Sequence, residues 1–276
     1  MNQHAVSSNP IPQPPFQIVS QLQQSGYARI GKKQIGRDDS FNRALNLLER
    51  QFEKLPSDTP AATSRRFRSI CGYTLLPSGH LLPGVVANDL QPVRFFDYYP
   101  YASKSCQLAL GQNAQEKTNI NNGWPNNPAL KYLIAFDHQL LPKIPDWRDH
   151  PLQVFVQLLR YAPTSGAPAI ARPNCFHQDG CPFLFHHHVK SQNVSGGCTV
   201  LADPSAVERH PCDVPEESIR ELCWMEQPLD SLAIADQRIA HHSSLVEIDR
   251  EGEDAYRDVL IIQFSPQTTD HSYTIN

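Results

Sequence analysis

The sequence has no apolar run approaching the ~20 residues that cross a bilayer. Its first fifteen residues, polar and rich in proline, lack both the basic and the apolar stretch of an export signal. A transmembrane helix is therefore not expected, and a cytoplasmic location is. Positive charge is not in excess either: 24 Lys and Arg stand against 28 Asp and Glu, a formal net charge of -4 with His neutral. That is the wrong balance for neutralising a phosphate backbone, so neither nucleic acid nor membrane is an expected partner. Seven cysteines, an odd number with no CxxC pair, support neither a disulfide framework nor a thiolate zinc knuckle. Reduced thiols are expected, including Cys175, Cys181 and Cys198, read as small buried residues. No internal repeat is evident, and oligomeric state is not legible.

What is present is enough chain for a buried core: 276 residues, 40% apolar and 19% charged. Residues 1–15 read as a flexible tail and 16–276 as one domain. From a cap at Asp39 or Ser40, the series Phe41, Leu45, Leu48, Phe52 and Leu55 predicts an amphipathic helix closed by Pro56. A second helix is predicted from Asn127 as cap and Pro128 at the first turn, through Leu130, Leu133, Ile134, Leu140 and Leu141, to Pro142. Tyr73 to Val86 could supply short strands, and Phe95 to Tyr101 is an aromatic cluster. After Pro151 the period changes to two. Strands are expected at Val154–Tyr161, Phe183–Val189, Cys198–Ala202, Leu222–Met225, Ser231–Ile234, Ile239–Val246 and Val259–Phe264, with helix favoured only near Glu216–Arg220. Short strands with turn-rich loops disfavour a βαβ layout and predict a sandwich or barrel, a β core over about 151–265 flanked by a helical N-terminal half.

The chemistry concentrates at Cys175-Phe176-His177-Gln178-Asp179-Gly180. Two residues apart in an extended segment, His177 and Asp179 share a face, where an imidazole and a carboxylate can reach one metal ion. A third ligand is available from Asp236-Gln237-Arg238-Ile239-Ala240-His241-His242, at His241 or His242. Two His and one carboxylate leave three octahedral positions open, the arrangement with which non-haem Fe(II) oxygenases take a chelating co-substrate and then O₂. Downstream, Arg257 opens the apolar run Val259–Phe264; a guanidinium at the mouth of a buried strand calls for a carboxylate partner, which its planar fork binds at two points.

In these residues the sequence resembles the bacterial 2-oxoglutarate/Fe(II) dioxygenases related to L-isoleucine dioxygenase, which hydroxylate free L-amino acids. The resemblance rests on His177-Gln178-Asp179-Gly180, Asn193-Val194-Ser195-Gly196-Gly197, Asp236-Gln237-Arg238 running to His241, and Arg257-Asp258-Val259-Leu260. Weaker echoes at Arg65-Arg66-Phe67 and Gln157 extend it over roughly residues 40 to 265. It implies a double-stranded β-helix (jelly-roll) and Fe(II) held by His177, Asp179 and His241. It also implies 2-oxoglutarate anchored by Arg257, with O₂ as second co-substrate; Gln157 is taken as a further residue binding 2-oxoglutarate. Spacing from Asp236 favours His241 over His242. Arg160 and His187, the middle member of His186-His187-His188, are taken as substrate contacts. The expected reaction is hydroxylation of a free amino acid or related small molecule with release of succinate and CO₂. Desaturation or ring closure at the same iron, a non-catalytic cupin-like binding module, and a hydrolytic zinc site are the alternatives.

Overall fold

Helix formation follows the apolar spacing, and the helices then need a surface on which to bury that stripe. The computed structural model describes residues 15–35, 38–58, 64–83, 104, 123–141 and 150–266, and among the described residues the helices with defined bounds are α1 (Phe16–Ser25), α2 (Asp39–Phe52) and α3 (Pro128–Leu140). In α2 the buried side chains are Phe41, Ala44, Leu45, Leu48 and Phe52. Its cap is Asp38, which accepts from the Phe41 N–H at 2.8 Å, so the helix is capped one residue earlier than Asp39 or Ser40. It ends at Phe52, short of Leu55, where the following Pro56 disfavours helical geometry. Helix α3 begins as its sequence dictates, with the Asn127 side-chain Oδ1 accepting from the Ala129 and Leu130 N–H groups and Pro128 at the first position. Helix α1 carries only the sparse stripe of Ile18 and Leu22 and has no side-chain cap, which is why its sequence does not announce it.

The strands are β1 (Tyr27–Ile30), β2 (Arg66–Leu75), β3 (Leu81–Pro83), β4 (Leu152–Tyr161), β5 (Phe183–Gln192), β6 (Val194–Gly196), β7 (Thr199–Ala202), β8 (Ile219–Cys223), β9 (Ser231–Ala235), β10 (Ala240–Ser243), β11 (Val246–Ile248) and β12 (Tyr256–Pro266). They form a seven-stranded antiparallel sheet, β1-β9-β5-β12-β4-β2-β3, a three-stranded sheet, β10-β7-β8, and a two-stranded ribbon, β11-β6. Two expectations are corrected. Glu216–Ser218 is a single 3₁₀ turn, and the strand after it starts at Ile219, three residues before Leu222. The predicted strand Ile239–Val246 is two strands, β10 and β11, in different sheets. The tail (residues 1–14), the cluster Phe95–Tyr101, Val86 and Pro142 lie outside the described residues.

The large sheet is buried on both faces, and strict alternation sorts its side chains. Phe183 and Phe185 of β5, Val154, Val156 and Leu158 of β4, and Leu260, Ile262 and Phe264 of β12 join one core with the helices. Their neighbours in sequence point the other way: Leu184 packs with Leu201 of the small sheet, and Leu159 with Val246 and Val259. Helices therefore cover one face, while the other closes on the small sheets as a jelly-roll barrel. No helix among the described residues is long and apolar enough to cross a membrane.

Candidate active site

The site begins with a backbone pairing. His177 lies outside the named strands, but its N–H donates to the His241 carbonyl at 3.0 Å and the His241 N–H donates back to the His177 carbonyl at 3.0 Å. Since β10 is itself paired with β7, His241 opposite Leu201, the position of both residues is set by the small sheet. The two imidazoles lie with ring centroids 4.3 Å apart. The Nδ1 of His177 faces the Cys175 carbonyl at 3.0 Å. A carbonyl can only accept, so that nitrogen carries the proton and Nε2 keeps its lone pair. Asp179 Oδ1 lies 3.5 Å from His177 Nε2 and 3.9 Å from His241 Nε2. One ligand atom from each of the three residues lies within 4.8 Å of the others.

Asp236, fully buried in the turn after β9, holds the loop that carries Asp179. Its carboxylate accepts from the Asp179 N–H at 3.1 Å and the Gly180 N–H at 2.7 Å, and its Oδ1 lies 3.6 Å from His241 Nδ1. Burial, and then the charge of Asp179, push the Asp236 carboxyl well above the usual range. Burial likewise holds His241 well below the ordinary imidazole value, so it is neutral and able to offer a lone pair at physiological pH. The other oxygen of Asp179, Oδ2, accepts from Gln263 Nε2 at 2.7 Å.

Beside this cluster lies a small cleft, partly open to solvent, whose walls include His186, Thr199, Met225, Val259 and Arg257. His186 links the two, its ring edge-on to His241 with centroids 5.9 Å apart. Arg257 is buried, donates from Nη1 to the Met225 carbonyl at 3.1 Å, and forms no ion pair among the described residues. Burial lowers its pKa while leaving it charged. A buried cation without a counter-ion beside a cavity is a receptor for an anion.

Gln157, on the barrel face of β4, hydrogen-bonds Gln263 at 3.2 Å and so approaches the cluster through it. His242 points the other way, against Phe176, with centroids 5.8 Å apart. Arg160 and His187 are on the helix face of the sheet, away from the cavity. Arg160 grips Asp258 with two 2.7 Å hydrogen bonds under Tyr256, and His187 is enclosed between Ser231 and Asp137. The parity of a strand decides this: His187 shares a face with Phe183 and Phe185, and His186 with Leu184. Sequence reasoning assigned no role to Asp236 or Gln263, and of His186-His187-His188 it preferred the middle residue to the outer pair that includes His186. For Gln263 and His186 the available signal was polarity at inward positions of otherwise apolar strands; Asp236 lies in the turn after β9.

The comparison that decides the family is a match of residues 49–263 to the model of the 2OG-Fe dioxygenases. The chain belongs to the 2OG-Fe dioxygenase family. No curated protein sequence matches it at a significant level. Among solved structures this dioxygenase is similar to IDO from Bacillus thuringiensis, at 16% identity and a TM-score of 0.67, covering 92% of this chain and 99% of that one. It is also similar to a bsmA homologue from Methylobium petroleophilum, at 17% identity and 0.65, covering 92% and 94%. A third is the Fe(II)/α-ketoglutarate-dependent dioxygenase TqaL, at 16% and 0.62, covering 90% and 85%. At these identities the likeness is one of fold. The dioxygenase uses Fe(II), 2-oxoglutarate and O₂, and its residues fit them: two lone-pair imidazoles and a carboxylate oxygen converge in a donor set suited to Fe(II), next to a buried, unpaired guanidinium suited to a dicarboxylate.

Proposed function

We propose that this dioxygenase hydroxylates an unactivated C–H bond of a free L-amino acid or a closely related small molecule. In this reading His177, Asp179 and His241 hold the iron and Arg257 anchors the far carboxylate of 2-oxoglutarate. The observation that carries it is the convergence of those three donor atoms beside the cavity on whose wall Arg257 sits without an acid partner. The amino-acid substrate is supported by the order of the four motifs along the chain.

When bound, Fe(II) and 2-oxoglutarate would, with O₂, supply an oxidant able to take hydrogen from a C–H bond, one oxygen atom leaving in succinate as CO₂ is released. The chain's own residues bind and orient. His177 keeps its Nδ1 proton on the Cys175 carbonyl and offers Nε2. Asp179 offers Oδ1 while Gln263 occupies Oδ2. Burial holds His186 down at about 4, so at neutral pH it adds no positive charge beside the metal site. Arg257 presents donors to a carboxylate at the wall of the cleft.

The test is succinate formation by protein reconstituted anaerobically with Fe(II) and then given 2-oxoglutarate, O₂ and pools of free L-amino acids. A pool that stimulates succinate and yields a product heavier by one oxygen supports the reading. A product lighter by two hydrogens replaces hydroxylation with desaturation or ring closure. Binding of 2-oxoglutarate with no stimulation by any pool removes the amino-acid substrate, and absence of binding removes the assignment of Arg257.

A further inference from the structure

Four buried polar side chains run in line from the far side of the barrel to Asp179. Asp58 Oδ1 pairs with Arg68 Nε at 2.8 Å, Arg68 Nη1 donates to Gln157 Oε1 at 3.4 Å, Gln157 Nε2 donates to Gln263 Oε1 at 3.2 Å, and Gln263 Nε2 donates to Asp179 Oδ2 at 2.7 Å. All four are nearly excluded from solvent, Gln263 being 3% and Gln157 6% exposed. Strand register brings them together. Gln157 of β4 stands opposite Ile261 of β12 and Ile70 of β2, so its side chain reaches Gln263 diagonally on the barrel face.

A carboxamide by itself has no fixed sense, because its oxygen and nitrogen ends exchange places when it flips. In this chain of bonds the sense is fixed from both ends. Arg68 can only donate, so the Gln157 oxygen must face it and the Gln157 amide nitrogen must face Gln263. That turns the Gln263 nitrogen toward Asp179, whose Oδ2 accepts from it. Asp58, shared with Arg66, secures Arg68.

We propose that Arg68, Gln157 and Gln263 form a directional relay of positioning residues whose task is to keep Asp179 a one-oxygen ligand. With Oδ2 held by Gln263, only Oδ1 is turned to the imidazoles, and a coordination position that a two-oxygen carboxylate would fill stays free for the co-substrates. Gln157 thereby acts through Gln263 on the metal site instead of touching 2-oxoglutarate. The inference rests on the reading of His177, Asp179 and His241 as metal ligands.

The experiment is titration of the folded, metal-free protein with Co(II), followed by visible absorbance, with the thermal midpoint of each metal-free variant as the control for folding. Gln263→Leu is expected to weaken Co(II) binding about 10- to 100-fold, the usual range for partners of metal ligands. The decisive variant is Gln157→Glu. An ionised carboxylate at 157 keeps the bond from Arg68 but cannot donate to Gln263, whose amide then flips and presents oxygen to oxygen at Asp179. Loss of Co(II) affinity by a factor comparable to that of Gln263→Leu, with an altered Co(II) spectrum, supports the relay. If Gln157 serves packing alone, Glu is the milder replacement and Leu the harsher. Where Gln157→Glu yields too little folded protein, Gln157→Leu substitutes, with about tenfold weaker binding expected. Wild-type affinity in either Gln157 variant overturns the relay and leaves the metal site standing. Failure of the wild type to bind Co(II) removes the metal site and the relay with it.

Discussion

The side chain of Arg257 passes so close over Gly197 that a Cβ at that position would stand 2.8 Å from Arg257 Cδ and 2.9 Å from its Nε. Gly197 also has a positive φ of +69°, a region that costs other residues about 1–2 kcal/mol. Two independent reasons thus require glycine there, and one of them is the path of the guanidinium. Gly197→Ala is expected to displace Arg257 and raise the KM for 2-oxoglutarate about tenfold or more, while the KM for the prime substrate changes little. Arg257→Ala should do the same more severely, about 10- to 100-fold, as expected for hydrogen bonds to a charged group. Steady-state succinate assays at varied concentrations of each substrate check both. Equal effects on the two substrates would make Arg257 a structural cation.

Adjacent histidines separate by face. His241→Ala should abolish substrate-dependent succinate formation and binding of Fe(II), whereas His242→Ala should keep both and lose only its packing against Phe176, on the order of 1 kcal/mol. The reversed pattern would move the ligand role to His242.

Beneath α3, a histidine that does not line the cleft ties helix to sheet. His187 Nδ1 donates to Ser231 Oγ at 2.7 Å, since that hydroxyl is itself donating to the Leu229 carbonyl, and His187 Nε2 shares a proton with Asp137 at 2.8 Å. Both His187 and Asp137 are fully buried. Asp137→Ala is expected to cost about 1–3 kcal/mol of stability by leaving a buried polar group unpaired, with turnover per folded molecule unchanged. Chemical denaturation and succinate assays on the folded fraction measure the two separately.

Stability should fall in acid for a reason located away from the metal cluster. His188 is buried, and that burial, followed by the charge of Arg257, holds it down at about 4, against 6.5 for an exposed imidazole. The unfolded chain therefore binds a proton there more readily than the folded one. The contribution of neutral His188 is complete above pH 6.5 and is lost as pH falls from 6.5 to about 4. His188→Asn should flatten that segment of the pH–stability curve by on the order of 2–3 kcal/mol, as read from denaturant midpoints of the metal-free protein.

Much of this was legible in the residues, and the misses share a cause. His177, Asp179 and His241 could be grouped from residue type and order, and α2 and α3 from apolar spacing. Arg160 and His187 were placed at the substrate because a strand of period two does not say which of its faces is the interior when both are buried. On β5 each face carries apolar side chains, Phe183 and Phe185 on one and Leu184 on the other. Gln263 and Asp236 bear on Asp179 through pairings distant in sequence, 84 residues apart in the first case and 57 in the second, which no local pattern encodes. The start of strand β8 is hidden in the sequence because its leading residues include the adjacent charges Arg220 and Glu221 and follow a turn containing Glu216 and Glu217.

The two backbone hydrogen bonds between His177 and His241 join segments separated by five strands, β5 to β9. Joining distant parts of a chain costs loop-closure entropy, which grows with the length enclosed. Here that cost is met by backbone bonds that need no ion, so under the proposed ligand assignment a cation would find its two imidazoles already side by side. Emptying such a receptacle is then expected to leave a folded barrel that can be refilled, in contrast to small zinc domains whose architecture dissolves with the loss of the ion.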